Sequence, residues 1–120
     1  MFEKNKFNVS HTEIDGINLL YLSGFLDAHT APALESKISE IIKYGKNKII
    51  VNFKDLDYIS SAGLGVFMAF IEELRQSGGD IKMAAMKPKV YNIFDLLGFP
   101  MLFDIEKTEQ DALLKFKTTK

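Results

Sequence analysis

The stretch KIIVNFKDLDYISSAGLGVF, Lys48 to Phe67, decides how this chain folds. It opens with a short β-branched run, Lys48–Phe53, which reads as a central strand. DLDYIS follows as the connection, and an apolar helical pattern begins at Ser61. A strand that hands on to a helix is half of a βαβ unit, so parallel neighbours are expected. Ser60 and Ser61 stand side by side, with Gly63 and Gly65 just behind them. One hydroxyl is enough to cap a helix, and each glycine inside one costs up to about 1 kcal/mol against alanine. The second hydroxyl and the bare backbone therefore need a reason beyond helix initiation.

Upstream, Asp15-Gly16 separates two segments of strand character and suits a type I′ turn. The pattern predicts an antiparallel hairpin, with strands Lys6–Ile14 and Ile17–Ser23. Ile17, Leu19, Leu20 and Leu22 make the second strand apolar on both faces, as in a sheet covered on both sides. SGFLDAHT reads as a loop. The next helix has Asp27 or Thr30 as its cap, Pro32 in its first turn and Leu34, Ile38, Ile41 and Ile42 on one side. Gly45 stops it.

Downstream, the helix from Ser61 runs to about Ser77 and stops at Gly78-Gly79. DIKMAA is the next strand, and KPKVYNIFDLLGF is a short helix opened by Pro88 and closed by Gly98. MLFDI offers a last short strand. TEQDALLKF is a terminal helix with Thr108 as its cap and Asp111 three residues on. The sum is one α/β domain over residues 1–120. Its mixed sheet has four to five strands, an N-terminal antiparallel hairpin followed by parallel βαβ units, with about four helices. SGFLDAHT and KDLDYISSAG should meet at the carboxyl end of the sheet, where sites gather in such folds.

Composition narrows the function. Hydrophobic residues make up 47% of 120, enough for a core. Fifteen basic and sixteen acidic residues are spread along the chain, so a nucleic-acid surface is not expected. Cysteine is absent, which excludes disulfides, thiolate catalysis and cysteine metal sites and is compatible with a cytoplasmic location. MFEKNKFNVS lacks the apolar core of a signal peptide, and no apolar run approaches about 18 residues, so membrane insertion is not expected.

Catalysis finds little support. Ile59 stands where a nucleophile elbow before Ser61 needs glycine. Ser61, His29 and Asp27 make a nominal triad, but no oxyanion donors can be argued beside them, and His29 reads better as a solvated loop residue. Two histidines without a carboxylate cluster make no metal site, and SSAGLGVF lacks the lysine of a phosphate loop. No acidic pair ends either of the first two strands, as a phosphoreceiver would require. Catalytic residues, cofactors and metals are thus not expected.

Two readings of the serines remain. Ser60 or Ser61 is a helix cap, or a hydroxyl is offered to another protein, with Gly63 and Gly65 letting that surface approach closely. At 100° per residue, Leu64, Phe67, Met68, Ile71 and Leu74 share a sheet-facing stripe. Phe70 lies at its edge and Val66 largely outside it. Those two either lie under neighbouring elements or form an apolar contact patch beside Ser61, which Phe25, in a short polar loop, would extend.

DLDYISSAGLGVF resembles the signature of the STAS domain family, in particular the bacterial anti-sigma factor antagonists. SGFLDAHTAPALESKI resembles the family's second landmark, a Gly-x-Leu/Ile-Asp stretch opening the first helix. Element order agrees over nearly the whole chain, including FDLLGF. The resemblance implies a switch protein that is not an enzyme. The unmodified antagonist binds an anti-sigma factor that is also a serine kinase with a GHKL-type ATP site, and a sigma factor is released. Phosphorylation two residues before the first glycine of Gly-Leu-Gly ends binding, and a metal-dependent serine phosphatase restores it. That position is Ser61. Many phosphorylated members carry Asp-Ser there, so Ser60 is a second candidate hydroxyl. Asp27 resembles a loop aspartate needed for kinase recognition or phosphorylation. The implied contact surface comprises Phe25, Asp27, Ser60, Ala62, Gly63, Leu64, Gly65, Val66 and Phe70 on a cytoplasmic monomer or weak dimer. The alternative is a STAS module that is never phosphorylated and acts within a larger signalling or transport assembly.

Overall fold

The computed structural model describes residues 6–118; residues 1–5, part of the segment read for a leader, lie outside them, as do 119 and 120. Asp15 and Gly16 both take left-handed backbone, with φ of 52° and 81°. That is the type I′ requirement, and it folds β1 (Asn8–Ile14) back on β2 (Ile17–Leu26). The register runs from Asn8↔Ser23 to Ile14↔Ile17. The chain continues through α1 (Ala31–Lys43), β3 (Lys48–Ile59), α2 (Ser61–Gln76), β4 (Asp80–Ala84) and α3 (Pro88–Leu96). A 3-10 turn (Phe99–Met101), β5 (Ile105–Glu106) and α4 (Glu109–Thr118) complete it.

The five strands lie in sequence order, β1-β2-β3-β4-β5, and every pair after the hairpin is parallel. Helices α1, α2 and α3 pack on one face, where Leu20, Leu22, Val51, Phe53, Ile81 and Met83 meet Leu34, Phe67 and Phe94. Aromatic rings bind that layer: Phe53 lies 5.8 Å from Phe67 and 5.4 Å from Phe94, and Phe94 lies 5.2 Å from Phe99. Helix α4 covers part of the other face, with Ala112 packed against Leu19, Ile50 and Ala84.

Strand lengths depart most from the sequence pattern. β2 extends to Leu26 and β3 to Ile59, so DLDYI is strand and Phe25 belongs to β2 rather than to a loop. Two bulges explain the difference. Tyr21 pairs with Asn52 but Ser23 with Asp55, and Gly24 pairs with Leu56 but Phe25 with Tyr58. Each shift puts one extra residue in β3. A strand with a two-residue period would bury alternate residues, whereas here Phe53, Leu56 and Ile59 are the buried ones. Alternation therefore fails after Phe53 although hydrogen bonding continues. Asn52 serves the first bulge: its Oδ1 accepts the Lys54 amide at 2.8 Å, and its Nδ2 donates to Glu109 at 3.0 Å.

Smaller corrections follow from packing. The hairpin begins at Asn8 rather than Lys6. Most of MLFDI lies outside a strand, because Phe99–Met101 forms the 3-10 turn and pairing begins only at Ile105. Met68, placed by periodicity on the sheet-facing stripe, is 46% exposed. Thr108 does cap α4, its Oγ1 accepting the Asp111 amide at 3.0 Å.

Among the described residues, Lys82 is the one deeply buried charge, and it lies on the α4 face. Its side chain is 5% exposed, its ammonium donates to Asp104 at 2.7 Å and Asp80 at 3.0 Å, and it lies 4.7 Å from the Phe116 ring centre. Burial opposes that charge, but the two carboxylates outweigh burial and raise the Lys82 pKa. The Lys82 hydrogen bond in turn holds the Asp104 carboxyl below its ordinary value of 3.8. A depressed carboxylate stabilises the fold above its unfolded pKa and loses that contribution as pH falls through the folded value. A raised lysine stabilises below its unfolded pKa and loses that contribution at alkaline pH. Asp104→Asn should therefore lower stability near neutral pH by about 1 kcal/mol, a modest figure because water screens the half-exposed carboxylate. Urea unfolding at several pH values should show the deficit shrinking as acid protonates the wild-type carboxyl.

Candidate functional site

The carboxyl end of the sheet is uneven. β4 pairs with β3 only as far as Asn52↔Ala84, whereas β2 and β3 run on together to Leu26↔Ile59. The two segments expected to meet there as loops do meet, as paired strands. The Ser60 amide adds a further bond to the Leu26 carbonyl at 2.9 Å, and α2 starts at the next residue.

The adjacent serines occupy different environments. Ser60 has extended backbone, φ −104° and ψ 175°, and sits at the cap position of α2. Its hydroxyl does not cap the helix; Oγ is buried and has no hydrogen-bond partner. Ser61 is the first helical residue and is exposed, as is Ala62. The expectation that Ser60 offers a hydroxyl at the surface is thus overturned, because the strand pairing that holds its amide turns the side chain inward.

Gly63 also differs from expectation. A Cβ there would lie 2.8 Å from Leu26 Cγ and 2.9 Å from Ile59 Cγ1, the two residues that end β2 and β3. Glycine lets α2 lie directly on the strand ends, so its bare backbone serves internal packing rather than a partner's approach. Gly65 is different: a Cβ there would meet nothing within 4 Å. Leu64 and Val66 are core residues, Val66 only 2% exposed, so neither belongs to a surface patch. Helix α2 has α1 on one flank and α3 on the other, which widens its buried arc beyond the stripe that periodicity gives. Phe70 is half-buried against the same core.

Asp27 braces the turn ahead of α1. Its Oδ1 accepts the amides of His29 at 3.0 Å and Thr30 at 3.2 Å. The Thr30 hydroxyl donates to the Phe25 carbonyl at 2.8 Å and accepts the Asp27 amide at 2.8 Å. Thr30 is the cap residue of α1 by position, but neither side chain accepts an amide of the helix; the two brace the turn that leads into it. His29 meets Asp27 through its backbone, and its exposed side chain does not form the triad.

Two groups at this end were missed in the sequence. Tyr58, 43% exposed, pairs with Phe25 at a ring separation of 5.3 Å. Asp57 forms an ion pair with Lys87, the residue before α3. The Lys87 hydrogen bond, with further attraction from Lys87 and Lys89, holds the Asp57 carboxyl below the usual carboxylate range. Both residues follow the first bulge, where a reading based on alternation had already ended the strand. Counting Asp57 as an extra residue would have put Tyr58 opposite Phe25.

The two glycines make opposite predictions. Gly63→Ala should destabilise the fold by about 1–3 kcal/mol through overpacking against Leu26 and Ile59. Gly65→Ala should stabilise it by up to about 1 kcal/mol through helix propensity. Denaturant midpoints at constant m-value would check both.

Comparison with known proteins agrees with this architecture. The model of the STAS domain matches residues 8–112. The chain is 32% identical over 106 residues to BtrV of Bordetella bronchiseptica, named as a candidate anti-sigma factor antagonist, covering 88% of this chain and 91% of that one. The structure of the anti-sigma factor antagonist SpoIIAA in its unphosphorylated form superimposes with a TM-score of 0.80 at 23% identity, covering 94% of this chain and 99% of that one. The phosphorylated form of the Bacillus cell fate determinant SpoIIAA gives 0.70 at 25% identity, covering 92% and 98%. With its hairpin-led mixed sheet, three helices on one face and an exposed serine opening α2, the chain belongs to the STAS domain family.

Proposed function

We propose that this protein is an anti-sigma factor antagonist switched by phosphorylation of Ser61. In its unmodified form it binds an anti-sigma factor that is also a serine kinase with a GHKL-type ATP site, and a sigma factor is set free. The kinase transfers the γ-phosphoryl group of ATP to Ser61 Oγ; the hydroxyl proton leaves and ADP is released. A metal-dependent serine phosphatase hydrolyses the ester and restores binding. The cycle runs in the cytoplasm, and the protein itself has no catalytic role in it.

The observation that carries this reading is the contrast between neighbouring hydroxyls: Ser61 is exposed at the start of α2, whereas Ser60 Oγ is buried. The likeness to proteins named as anti-sigma factor antagonists supports the partner class. Around Ser61, the exposed residues Ala62 and Gly65 and the Phe25–Tyr58 pair supply the contact surface.

Phosphate adds about −1.5 to −2 charges at neutral pH. At a helix N-terminus that charge meets free amides and the positive end of the dipole, and the first turn of α2 holds no acidic side chain to oppose it. The modification therefore leaves α2 folded and acts on the partner by charge and bulk. A loss of about 3 kcal/mol at the contact would weaken binding more than a hundredfold.

Incubation with the cognate kinase and ATP should place one phosphate on the wild type and on Ser60→Ala, and none on Ser61→Ala. Phosphate retained by Ser61→Ala would sink the reading, and no modification of any form would favour a constitutive interaction module. Asp27 allows a second test. Asp27→Asn keeps an oxygen for the His29 and Thr30 amides, so its unfolding midpoint should stay near that of wild type, whereas Asp27→Ala should lose about 1 kcal/mol. Slow phosphorylation of the stable Asn variant would assign the carboxylate charge to kinase recognition; wild-type rates would confine Asp27 to bracing the turn.

A further inference from the structure

The run LLGFPMLF, residues 96–103, carries no charge and divides into two sets. Phe99 and Phe103 turn inward, their rings stacked 5.4 Å apart, and Phe99 also meets Phe94. Leu96, Leu97, Pro100, Met101 and Leu102 stay outside, with Leu96 84% and Met101 89% exposed. A fixed scaffold carries them. Gly98, at φ 79°, follows the end of α3, and the 3-10 turn packs back on that helix. The Leu102 amide donates to the Phe99 carbonyl at 2.8 Å, and the Leu102 carbonyl accepts from the Arg75 guanidinium, which lies over the Phe103 ring. Covering these side chains therefore costs little ordering of the backbone. They expose on the order of 500 Å², near the upper end for the largest apolar patch of a typical monomer. Helix α3 follows a parallel strand and runs back along the sheet, so the patch lies at the amino end. Arg75, which touches it, is in the last turn of α2, about 20 Å from Ser61 at about 1.5 Å per residue.

We infer that a second copy of this chain docks on the patch, reversibly and about a two-fold axis; the inference stands apart from the reading of Ser61. A two-fold axis sets a surface against itself, so any charge within it meets its like. Residues 96–103 hold none. The area fits the same occupant. Two such patches together cover about 1,000 Å², the lower bound for a specific interface and the size of a transient one. The rim carries both signs. Arg75 and Asp104 are partly exposed, and Asp95 is exposed on the other side of the run. Such a rim can pair with its own copy, whereas the two aspartates that bracket the run oppose an anionic lipid surface. Met101, on a flexible thioether chain, can fill the uneven gaps of a surface that faces itself. A joint at this end leaves Ser61 of both copies uncovered, so association and the proposed phosphorylation proceed independently.

Sedimentation equilibrium of the full chain provides the test. Monomer should pass to dimer, and no further, as protein rises from about 10 µM to about 1 mM. Leu96→Glu and Met101→Glu set a carboxylate into the apolar contact, and each should weaken association about tenfold or more. Both are surface changes, so their unfolding midpoints should stay near that of wild type. Amide shifts that depend on concentration should gather on residues 95–104. Tyr58→Ser and Ser61→Ala, both at the other end of the sheet, should dimerise as wild type does. A chain that stays monomeric throughout, a dimer indifferent to both glutamate variants, or shifts gathered on β1 or around Tyr58 would each overturn the inference. So would a monomer that binds vesicles of anionic phospholipid and loses them on Met101→Glu, which would assign the patch to a lipid surface. No kinase enters these measurements, so its failure to modify Ser61 would count against the proposed cycle alone.

Discussion

The pairing of β2 with β3 beyond the rest of the sheet is the constraint on which this structure depends. It carries the register through two bulges to Leu26↔Ile59, and it sets Leu26 and Ile59 side by side as a floor. Gly63 lies on that floor with no room for a Cβ. The start of α2 is thereby fixed in height and direction, and so are the serines before it. Each extra residue inverts the side chains after it, so Leu56, between the bulges, takes the core-facing place that a regular strand would give to Asp55 or Asp57. The second bulge undoes the first, and Ile59 returns to the face that Phe53 occupies.

That geometry separates two hydroxyls that look equivalent in the chain. Ser60 still belongs to the strand ladder through its bond to the Leu26 carbonyl, and its side chain is turned into the protein. Ser61 has entered the helix and is turned out. A buried hydroxyl without a partner carries an energetic penalty, of a kind native structures tolerate at few positions.

Around this point the chain gathers groups that do not contribute to the main core. Phe25 and Tyr58 meet as a tilted ring pair at the strand ends, Asp57 holds Lys87, and Asp27 braces the turn before α1. The far side of the sheet is held differently, by a buried lysine between two aspartates under α4. The Asp57–Lys87 pair at the carboxyl end is partly open to water, whereas the Lys82 ammonium under α4 is buried.

Much of the fold was legible in the chain itself. Asp15-Gly16 forces a hairpin because two successive residues must take positive φ, and the helices are marked by periodicity and by the stops at Gly45 and Gly78-Gly79. The resemblance of DLDYISSAGLGVF to a family signature pointed to Ser61, which is the exposed one of the two serines. The tertiary structure decided the rest. Val66 is buried because α2 has helices on both flanks, which no single-helix projection contains. Gly63 is a packing residue because two strand ends meet beneath it, and Ser60 faces inward because β2 accepts its amide. Tyr58 and Asp57 escaped notice because bulges break the two-residue period while preserving the hydrogen bonds. Local propensity marks which elements form and where the helices stop; how far the strands run and which side chains reach the surface depend on contacts between segments far apart in the chain.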